Sequence, residues 1–413
     1  MNPHAVLSVA DTSAPFEHFA KNGYYIVDNQ VYLHKIRALQ AATRNNSSVK
    51  WHFNDQEYLA LDWTKPAGIP LLELYRLRAL QLRQKYKYVI LAFSGGGDST
   101  TILESFLDNG IKLDEIIFNR SSHAERNYVP NPTSTDPANF MSEWDYVVKP
   151  KLEWVAANHP GVKITIVDHE LSMNEYAPDT ATVSIWPSFI SVNRARGIDR
   201  LLRQRQDEHR DVAMIMGVAP PNLTIINKNV FVDFPDALTT SIFKSDRPDG
   251  TWSRNVEFFY WTPDFPEIVR EQAHALLASL KTFPGTQRFY KCLEQDASGK
   301  IEHKWPDDAE AQRLHIKKII YPKYPLDILQ VSKMPDMLNK PLWSAWFFTN
   351  SQSEDYLHAW RSAIRSEYAL IDRRFFVYPE QLKSTKHVIV EEGMPVSYTM
   401  IPSRFYKIGT LGA

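Results

Sequence analysis

The 413-residue chain contains a single cysteine, Cys292. One thiol excludes a disulfide framework, an all-cysteine zinc site and a four-thiolate iron–sulfur cluster within one subunit, and it suits a reducing cytosol. Long apolar runs are missing too: no stretch approaches the roughly 18 apolar residues that a membrane-spanning helix needs. The opening Met1-Asn2-Pro3-His4 lacks a basic region followed by an apolar one, so no secretory signal is expected. Nor is there an excess of charge. With 47 Lys+Arg against 48 Asp+Glu the net charge is −1, which argues against a nucleic-acid coat protein but leaves room for a local basic face. No fixed-period repeat or low-complexity tract is present. These absences together predict a cytoplasmic protein without membrane contact. What is present is apolar material, 44% of residues, enough at this length for two or three units with their own cores.

Residues 1–85 give mixed signals, in which Tyr24 to Leu33 reads as two short strands about an Asp28-Asn29 turn, and a small N-terminal α+β cap is expected. From Leu71 to Tyr86 leucines recur at helical spacing behind Pro70. Tyr88 to Phe93 is then a continuous apolar run of strand length, as a strand buried on both faces requires. It breaks at Ser94-Gly95-Gly96-Gly97-Asp98-Ser99-Thr100, after which Ile102, Leu103, Phe106 and Leu107 recur at helical spacing up to Asn109-Gly110. Ile116-Ile117-Phe118 supplies a second strand, completing a βαβ unit with a parallel sheet. The alternation continues with a helix over 150–158, a strand over 163–168, a helix around 190–206 and a strand over 212–216. The expected fold is therefore α/β, a doubly wound parallel sheet of four strands over 86–239. A mainly helical, aromatic-rich region follows over 240–413, with helices near 265–280, 307–320 and 354–365.

Three glycines between a buried strand and a helix start let the backbone turn tightly and approach an anion without a Cβ in the way. The amides there, with the hydroxyls of Ser94, Ser99 and Thr100, suit phosphate oxygens at the positive end of the helix. Asp98 would repel such a ligand unless a cation lay between them, so it implies magnesium bridging to polyphosphate. The bland alternative makes Asp98 a helix cap and the glycines a turn. A Walker loop would need Gly-Lys-Ser/Thr, and a dinucleotide fingerprint would need Gly-x-Gly-x-x-Gly; neither fits.

The run Ser94-Gly95-Gly96-Gly97-Asp98-Ser99 after a buried strand resembles the pyrophosphate loop, Ser-Gly-Gly-x-Asp-Ser, of the PP-loop ATP pyrophosphatases. That superfamily, related to the adenine nucleotide alpha hydrolases, includes asparagine, GMP, NAD and argininosuccinate synthetases, tRNA-modifying ligases and sulfate-assimilation enzymes. The resemblance covers about 150 residues. It implies ATP with adenine near Ala92, Phe93 and Asn119, outer phosphates in the 94–100 loop, magnesium on Asp98, and Gly217 to Asn222 lining the same crevice. Lysines late in such chains often reach the leaving phosphates. Lys317, Lys318, Lys323 and Lys333 are available, and Lys318 and Lys323 are carried forward with Asp98 and Ser99 as catalytic candidates.

Departures from the family narrow the choice. Position 2 is Asn, so the amino-terminal glutaminase of the asparagine type is not expected, and Cys292 alone cannot build the four-cysteine zinc site of the 7-cyano-7-deazaguanine enzymes or the cluster of the two-thiocytidine type. The loop is also similar to that of phosphoadenylyl-sulfate reductases, but the tail Ile408 to Ala413 lacks their cysteine. Arg194, Arg196, Arg200, Arg203, Arg205 and Arg210 could track a nucleic-acid backbone, yet interleaved Asp199, Asp207, Glu208 and Asp211 favour a solvated face. Asn255 to Asp264 is aromatic enough to stack a base, with core packing the simpler role, and His123, His159, His169 and His274 show no metal-ligand spacing. The expectation is an AMP-forming ligase that adenylates a carboxylate or amide-type carbonyl of a small molecule or nucleobase. Ammonia or an amine, free or from a donor protein, completes the transfer. The rivals are a nucleic-acid base modifier and a nucleotide-binding module without turnover. A homodimer is the default assembly.

Overall fold

The fold, taken from a computed structural model, is described for residues 23–33, 35–120, 144–168, 201–217, 221–236, 256–282, 316–324, 370–377, 397–399 and 401–411. Arg194, Arg196, Arg200, His123, His169, Cys292, Lys333 and the helix expected over 354–365 lie outside the described residues.

The chain opens with β1 (Tyr24–Val27) and β2 (Gln30–Tyr32), joined at Asp28 and Asn29, both in the left-handed region at φ 49° and 67°. This is the turn chemistry read from the sequence, since short polar side chains tolerate that conformation. Helix α1 (Lys35–Asn45), β3 (Lys50–His52) and α2 (Asp55–Leu59) follow, and β3 pairs with the other side of β1. Helix α3 (Leu71–Lys85) begins behind Pro70, whose fixed φ suits a helix start. It leads into β4 (Tyr88–Phe93), whose Val89, Ile90 and Leu91 are completely buried.

Strand β4 is the centre of a five-stranded, all-parallel sheet, built with β5 (Glu115–Arg120), β6 (Lys163–Asp168), β7 (Val212–Met216) and β10 (Val256–Phe258) in the order β10-β7-β4-β5-β6. Leu91 faces Ile116 on one side and Ile215 on the other. Helix α4 (Gly97–Leu107) connects β4 to β5, and α5 (Lys149–Asn158) precedes β6. The chain thus runs outward from β4 through β5 to β6, then returns to the other side of β4 for β7 and β10. The order reverses at β4, and in parallel sheets such a reversal opens a crevice at the carboxyl ends of the strands.

The fifth strand, β10, is an addition to the four expected. Its Val-Glu-Phe segment reads from sequence as part of an aromatic core run, and a three-residue strand carrying a glutamate gives no periodicity to detect. Glu257 is tolerated there because fully buried Arg78 of α3 lies 3.3 Å from it and also donates to the Phe258 carbonyl at 3.0 Å. Lys85 adds a contact to Glu257 at 3.1 Å. A charged residue inside a sheet edge therefore locks α3 onto β10.

A second buried pair takes one arginine out of the cluster. Arg205, in a helical stretch over 201–208, reaches Glu115 at the start of β5 through Nε at 2.7 Å and Nη2 at 3.1 Å. Burial opposes ionisation of Glu115, but hydrogen bonds from Arg205, Thr165 and Tyr88 hold its carboxyl below the usual range. Arg205 is thus committed to the sheet and is not part of a phosphate-tracking face.

Beside the parallel sheet, β8 (Asn222–Ile226), β9 (Asn229–Asp233) and β13 (Tyr406–Thr410) form an antiparallel sheet in the order β13-β9-β8. Helix α6 (Glu267–Thr282) packs on α3 and β13, and β11 (Phe376–Val377) pairs with β12 (Ser397–Tyr398). The region expected to be mainly helical therefore also contributes strands. Phe53, Tyr58, Trp63, Phe234, Trp261 and Tyr406 join these elements, with Tyr58 and Phe234 at 4.8 Å, Trp63 and Tyr406 at 5.0 Å and Phe234 and Trp261 at 5.2 Å between ring centroids. Among the described residues no helix is long and apolar enough to cross a membrane.

Asp233, at the end of β9, is buried with Asn222 Nδ2 at 2.9 Å and Thr224 Oγ1 at 3.1 Å both donating to its Oδ1. Burial outweighs these bonds and pushes its carboxyl up to about 7. The folded state therefore keeps a proton that the unfolded chain releases near 3.8, so this contribution to stability is complete below that value and is lost as pH rises through about 7. Asp233→Asn keeps the acceptor and removes the titration. Urea unfolding at pH 5 and pH 8 should show the natural chain losing on the order of a few kcal/mol that the variant retains. Identical pH slopes for both chains would refute this assignment.

Candidate functional site

The sequence-predicted corner lies where β4 ends and α4 begins, at the reversal point of the sheet. Gly95 turns the chain at φ +76°, a conformation that L side chains rarely adopt, and a Cβ there would sit 2.7 Å from Val148 Cγ2. At Gly97 a Cβ would lie 2.8 Å from the Tyr321 ring, and at Gly217, just after β7, it would lie 2.8 Å from Asp98 Cβ. Two of the three loop glycines thus make room for side chains of the same chain. From sequence alone that space suits an anion. Gly95, Gly96 and Gly97 are buried, Ser94 is exposed and Asp98 is half-buried.

The hydroxyls are committed in the same way. Ser99 Oγ accepts from the Ser94 amide at 3.1 Å and lies 3.2 Å from Ser94 Oγ, while Thr100 Oγ1 donates to the Gly95 carbonyl at 3.3 Å. Ser94 Oγ belongs to the same network, accepting from the Gly96 amide at 3.4 Å, so all three hydroxyls hold the loop in shape although Ser94 as a residue is exposed. The first-turn amides of Gly97, Asp98 and Ser99 belong to a helix whose N-cap, Gly96, offers no side-chain acceptor. Those donors have no partner inside a helix, and together with the helix dipole they make the corner electropositive.

Three tyrosines converge on this turn. Tyr260, following β10, donates to the Asp98 carbonyl at 2.8 Å, and Tyr324 donates to the Gly95 carbonyl at 2.8 Å. Tyr321 donates to Asp98 Oδ1. Burial, then the Asp98 charge and the neighbouring tyrosines, raise the Tyr260 and Tyr321 phenols well above their ordinary value, so both stay protonated and act as donors. Tyr321 and Tyr324 were not singled out in the sequence, and Tyr260 stands there only within the aromatic stretch Asn255 to Asp264. They lie 162 to 229 residues from the groups they hold, and nothing local marks them.

At the adjacent strand end, Phe118 of β5 stands opposite Phe93 and stacks on Trp144 at 5.4 Å, and the Arg120 guanidinium lies 4.1 Å over the Trp144 ring. Ala92 is half-buried on β4 opposite Ile117, and Asn119 occupies β5 opposite Val167. Of the lysine candidates, Lys318 is exposed in a helical stretch over 316–320. Lys323 reaches Asp108 at 2.8 Å, just past the far end of α4. The structure therefore gathers Ser94 to Thr100 and Gly217 at one place, and it directs Lys323 elsewhere. Among the described residues no group of three or more His, Cys, Asp or Glu could hold a metal. His159 rests against Trp154 at 5.2 Å, and His274 Nε2 lies 3.0 Å from the Trp63 carbonyl.

Gly217→Ala should destabilise the fold by about 1–3 kcal/mol, because the new methyl meets the Asp98 side chain and the backbone of α4 must yield. Gly161→Ala, where a Cβ would meet nothing within 4 Å, should stay within about 0.5 kcal/mol of the natural chain. Chemical denaturation of both variants checks this, and equal losses would contradict it. A scan against protein-family models and a search of curated proteins each found no match to this chain.

Proposed function

We propose that the corner at 94–100 binds the outer phosphates of ATP and that the protein is an AMP-forming ligase of the PP-loop ATP pyrophosphatase type. The observation that carries this reading is the position of Ser94-Gly95-Gly96-Gly97-Asp98-Ser99. It stands at the carboxyl end of the central parallel strand, where the strand order reverses, with an uncapped helix start. On this reading the sheet is doubly wound, residues 1–85 form a cap, 86–239 the nucleotide domain and 240–413 a substrate or partner region.

The residues present suit a polyphosphate with a divalent cation. The Gly97, Asp98 and Ser99 amides would supply donors, and Ser94 is an exposed residue beside them. Tyr321 occupies Oδ1 of Asp98 and leaves the second carboxylate oxygen for magnesium, which would neutralise phosphate charge. No cluster of carboxylates surrounds Asp98 among the described residues, so phosphate oxygens would complete the shell. The stacked Phe118 and Trp144 beside β4 offer a flat apolar surface for adenine near Ala92, Phe93 and Asn119. A carboxylate or amide oxygen of the acceptor attacks the α-phosphorus and pyrophosphate leaves. An amine then attacks the activated carbon, and AMP departs as the proton passes to solvent. The chain contributes position and fixed positive potential.

One observation favours a second reading. Val147, Val148 and Tyr321 fill the space a Cβ would take at Gly95 and Gly97, and Tyr324 takes the Gly95 carbonyl, as would suit the plain structural turn in which Asp98 serves the helix end and no nucleotide is held.

The test is product analysis with magnesium-ATP and a panel of carboxylate and amide acceptors. A ligase releases AMP and pyrophosphate, and Asp98→Ala should lower that rate by about 100-fold or more. ATP binding without products would support a nucleotide-binding module without turnover. ADP and phosphate as the sole products, or no ATP uptake at millimolar concentration, would overturn the proposal.

A further inference from the structure

The two oxygens of the Asp98 carboxylate differ in their partners. Oδ1 accepts from the Tyr321 hydroxyl. Among the described residues the buried side-chain oxygens left without a hydrogen bond include Glu104 Oε2 and Gln272 Oε1 but not Asp98 Oδ2. Oδ2 accepts nothing, so this second oxygen is open to solvent on a half-buried residue. A carboxylate in the first turn of a helix is favoured by the dipole with water on both oxygens, so Asp98 needs no phenol to be tolerated there.

Tyr321 reaches Asp98 from a fixed place. It is 0% exposed, so its hydroxyl has no water as an alternative partner. Its ring fills the space beside Gly97 and lies 5.9 Å from the Tyr260 ring, and its amide donates to the Lys317 carbonyl at 2.7 Å. The preceding residue is pinned as well, since Tyr75 donates to the Ile320 carbonyl at 2.8 Å and itself accepts from Gln272 at 3.0 Å. Asp98 is equally constrained, with its Cβ against Gly217 and its carbonyl taken by Tyr260. The phenol therefore fixes both the setting of the carboxylate and which of its oxygens is free.

A cation that approaches Asp98 finds one unshared oxygen, and to take both it must share Oδ1 with the partial positive charge of the hydroxyl proton. Magnesium loses little by this, because it takes single oxygens in a near-octahedral shell and keeps several waters. Calcium is larger, gathers about six to eight oxygens and readily takes a carboxylate through both of its own. On the reading of the corner as a magnesium–polyphosphate site, on which this rests, we infer that Tyr321 is a positioning residue that makes Asp98 a one-oxygen ligand and so sets a preference for magnesium over calcium. Its influence on the cation passes through Asp98 alone.

The full chain is titrated calorimetrically with ATP in excess magnesium and in excess calcium, and the ratio of the two affinities is the readout. The natural chain is expected to bind at least about tenfold more tightly with magnesium, and Tyr321→Phe to bring the ratio to about threefold or less through a gain with calcium. Asp98→Glu, whose longer side chain carries the carboxylate past the phenol, should lower the ratio likewise and serves where Tyr321→Phe does not fold. Tyr324→Phe removes the neighbouring hydroxyl from the Gly95 carbonyl and should leave the ratio unchanged, which separates positioning of Asp98 from general loosening of the 316–324 segment. An unchanged ratio in folded Tyr321→Phe or in Asp98→Glu, an equal fall in Tyr324→Phe, or no preference in the natural chain would each overturn the inference and leave the nucleotide reading standing. No ATP uptake with either cation would remove that reading and the inference with it.

Discussion

The end of β4 is a place where four separate pieces of chain meet at distances that exclude a Cβ. Gly95 meets Val148, Gly97 meets Tyr321, and Gly217 meets Asp98, each with less than 3 Å to spare for an added methyl. At such contacts an added Cβ would force a neighbour to shift, and beside Gly217 that neighbour is Asp98 Cβ, which no rotamer change can move. The sheet order follows from the same closeness. With Gly217 against Asp98, β7 is held beside β4, and β5 takes the other side through Phe118 facing Phe93. The 316–324 segment is anchored to the loop by Tyr321 and Tyr324.

Much of this sheet was legible because its signals are local. Tyr88 to Phe93, Glu115 to Arg120, Lys163 to Asp168 and Val212 to Met216 are apolar runs separated by helix-length segments, and parallel strands buried on both faces leave that trace. The turn at Asp28-Asn29 and the helix behind Pro70 were equally legible, since each rests on backbone preferences of the residues themselves. Strand β10 was hidden, because three residues with a buried glutamate become a strand only through Arg78, which lies in α3. Arg205 reads as part of a solvated stripe for the same reason, while Arg203 and Arg210 are exposed as that reading expects. What makes Arg205 a core residue is Glu115, ninety positions earlier.

The candidate site divides along the same line. The glycines, Asp98 and Gly217 could be named from sequence, because a turn between buried strand and helix leaves few roles for them. The tyrosines could not, since their hydroxyls are fixed by partners more than 160 residues away. Lys318 and Lys323 were weak candidates on sequence grounds, and the reason is visible in the fold: an exposed lysine pairs with whichever carboxylate is nearest, here Asp108 for Lys323.

Closure of the corner by its own chain bears directly on whether it can hold an anion, and peptide geometry separates the two faces. In a trans peptide the carbonyl of one residue and the amide of the next point in opposite directions. Tyr324 takes the Gly95 carbonyl and Tyr260 the Asp98 carbonyl, so the amides of Gly96 and Ser99 are turned away from those rings. The covered side of the turn is its carbonyl side. An anion seeks the amide side, where the helix start has no capping side chain. Buried tyrosines that stay protonated fix the orientation of these peptide dipoles before any ligand arrives, and such preorganisation lowers the cost of binding charge. Asp98 at the second helical position gains about 0.3–1 kcal/mol from the helix dipole, which accounts for a carboxylate there. It does not account for Tyr321, which engages only Oδ1 of that carboxylate. A carboxylate held through one oxygen at an electropositive turn remains able to share its other oxygen with a cation.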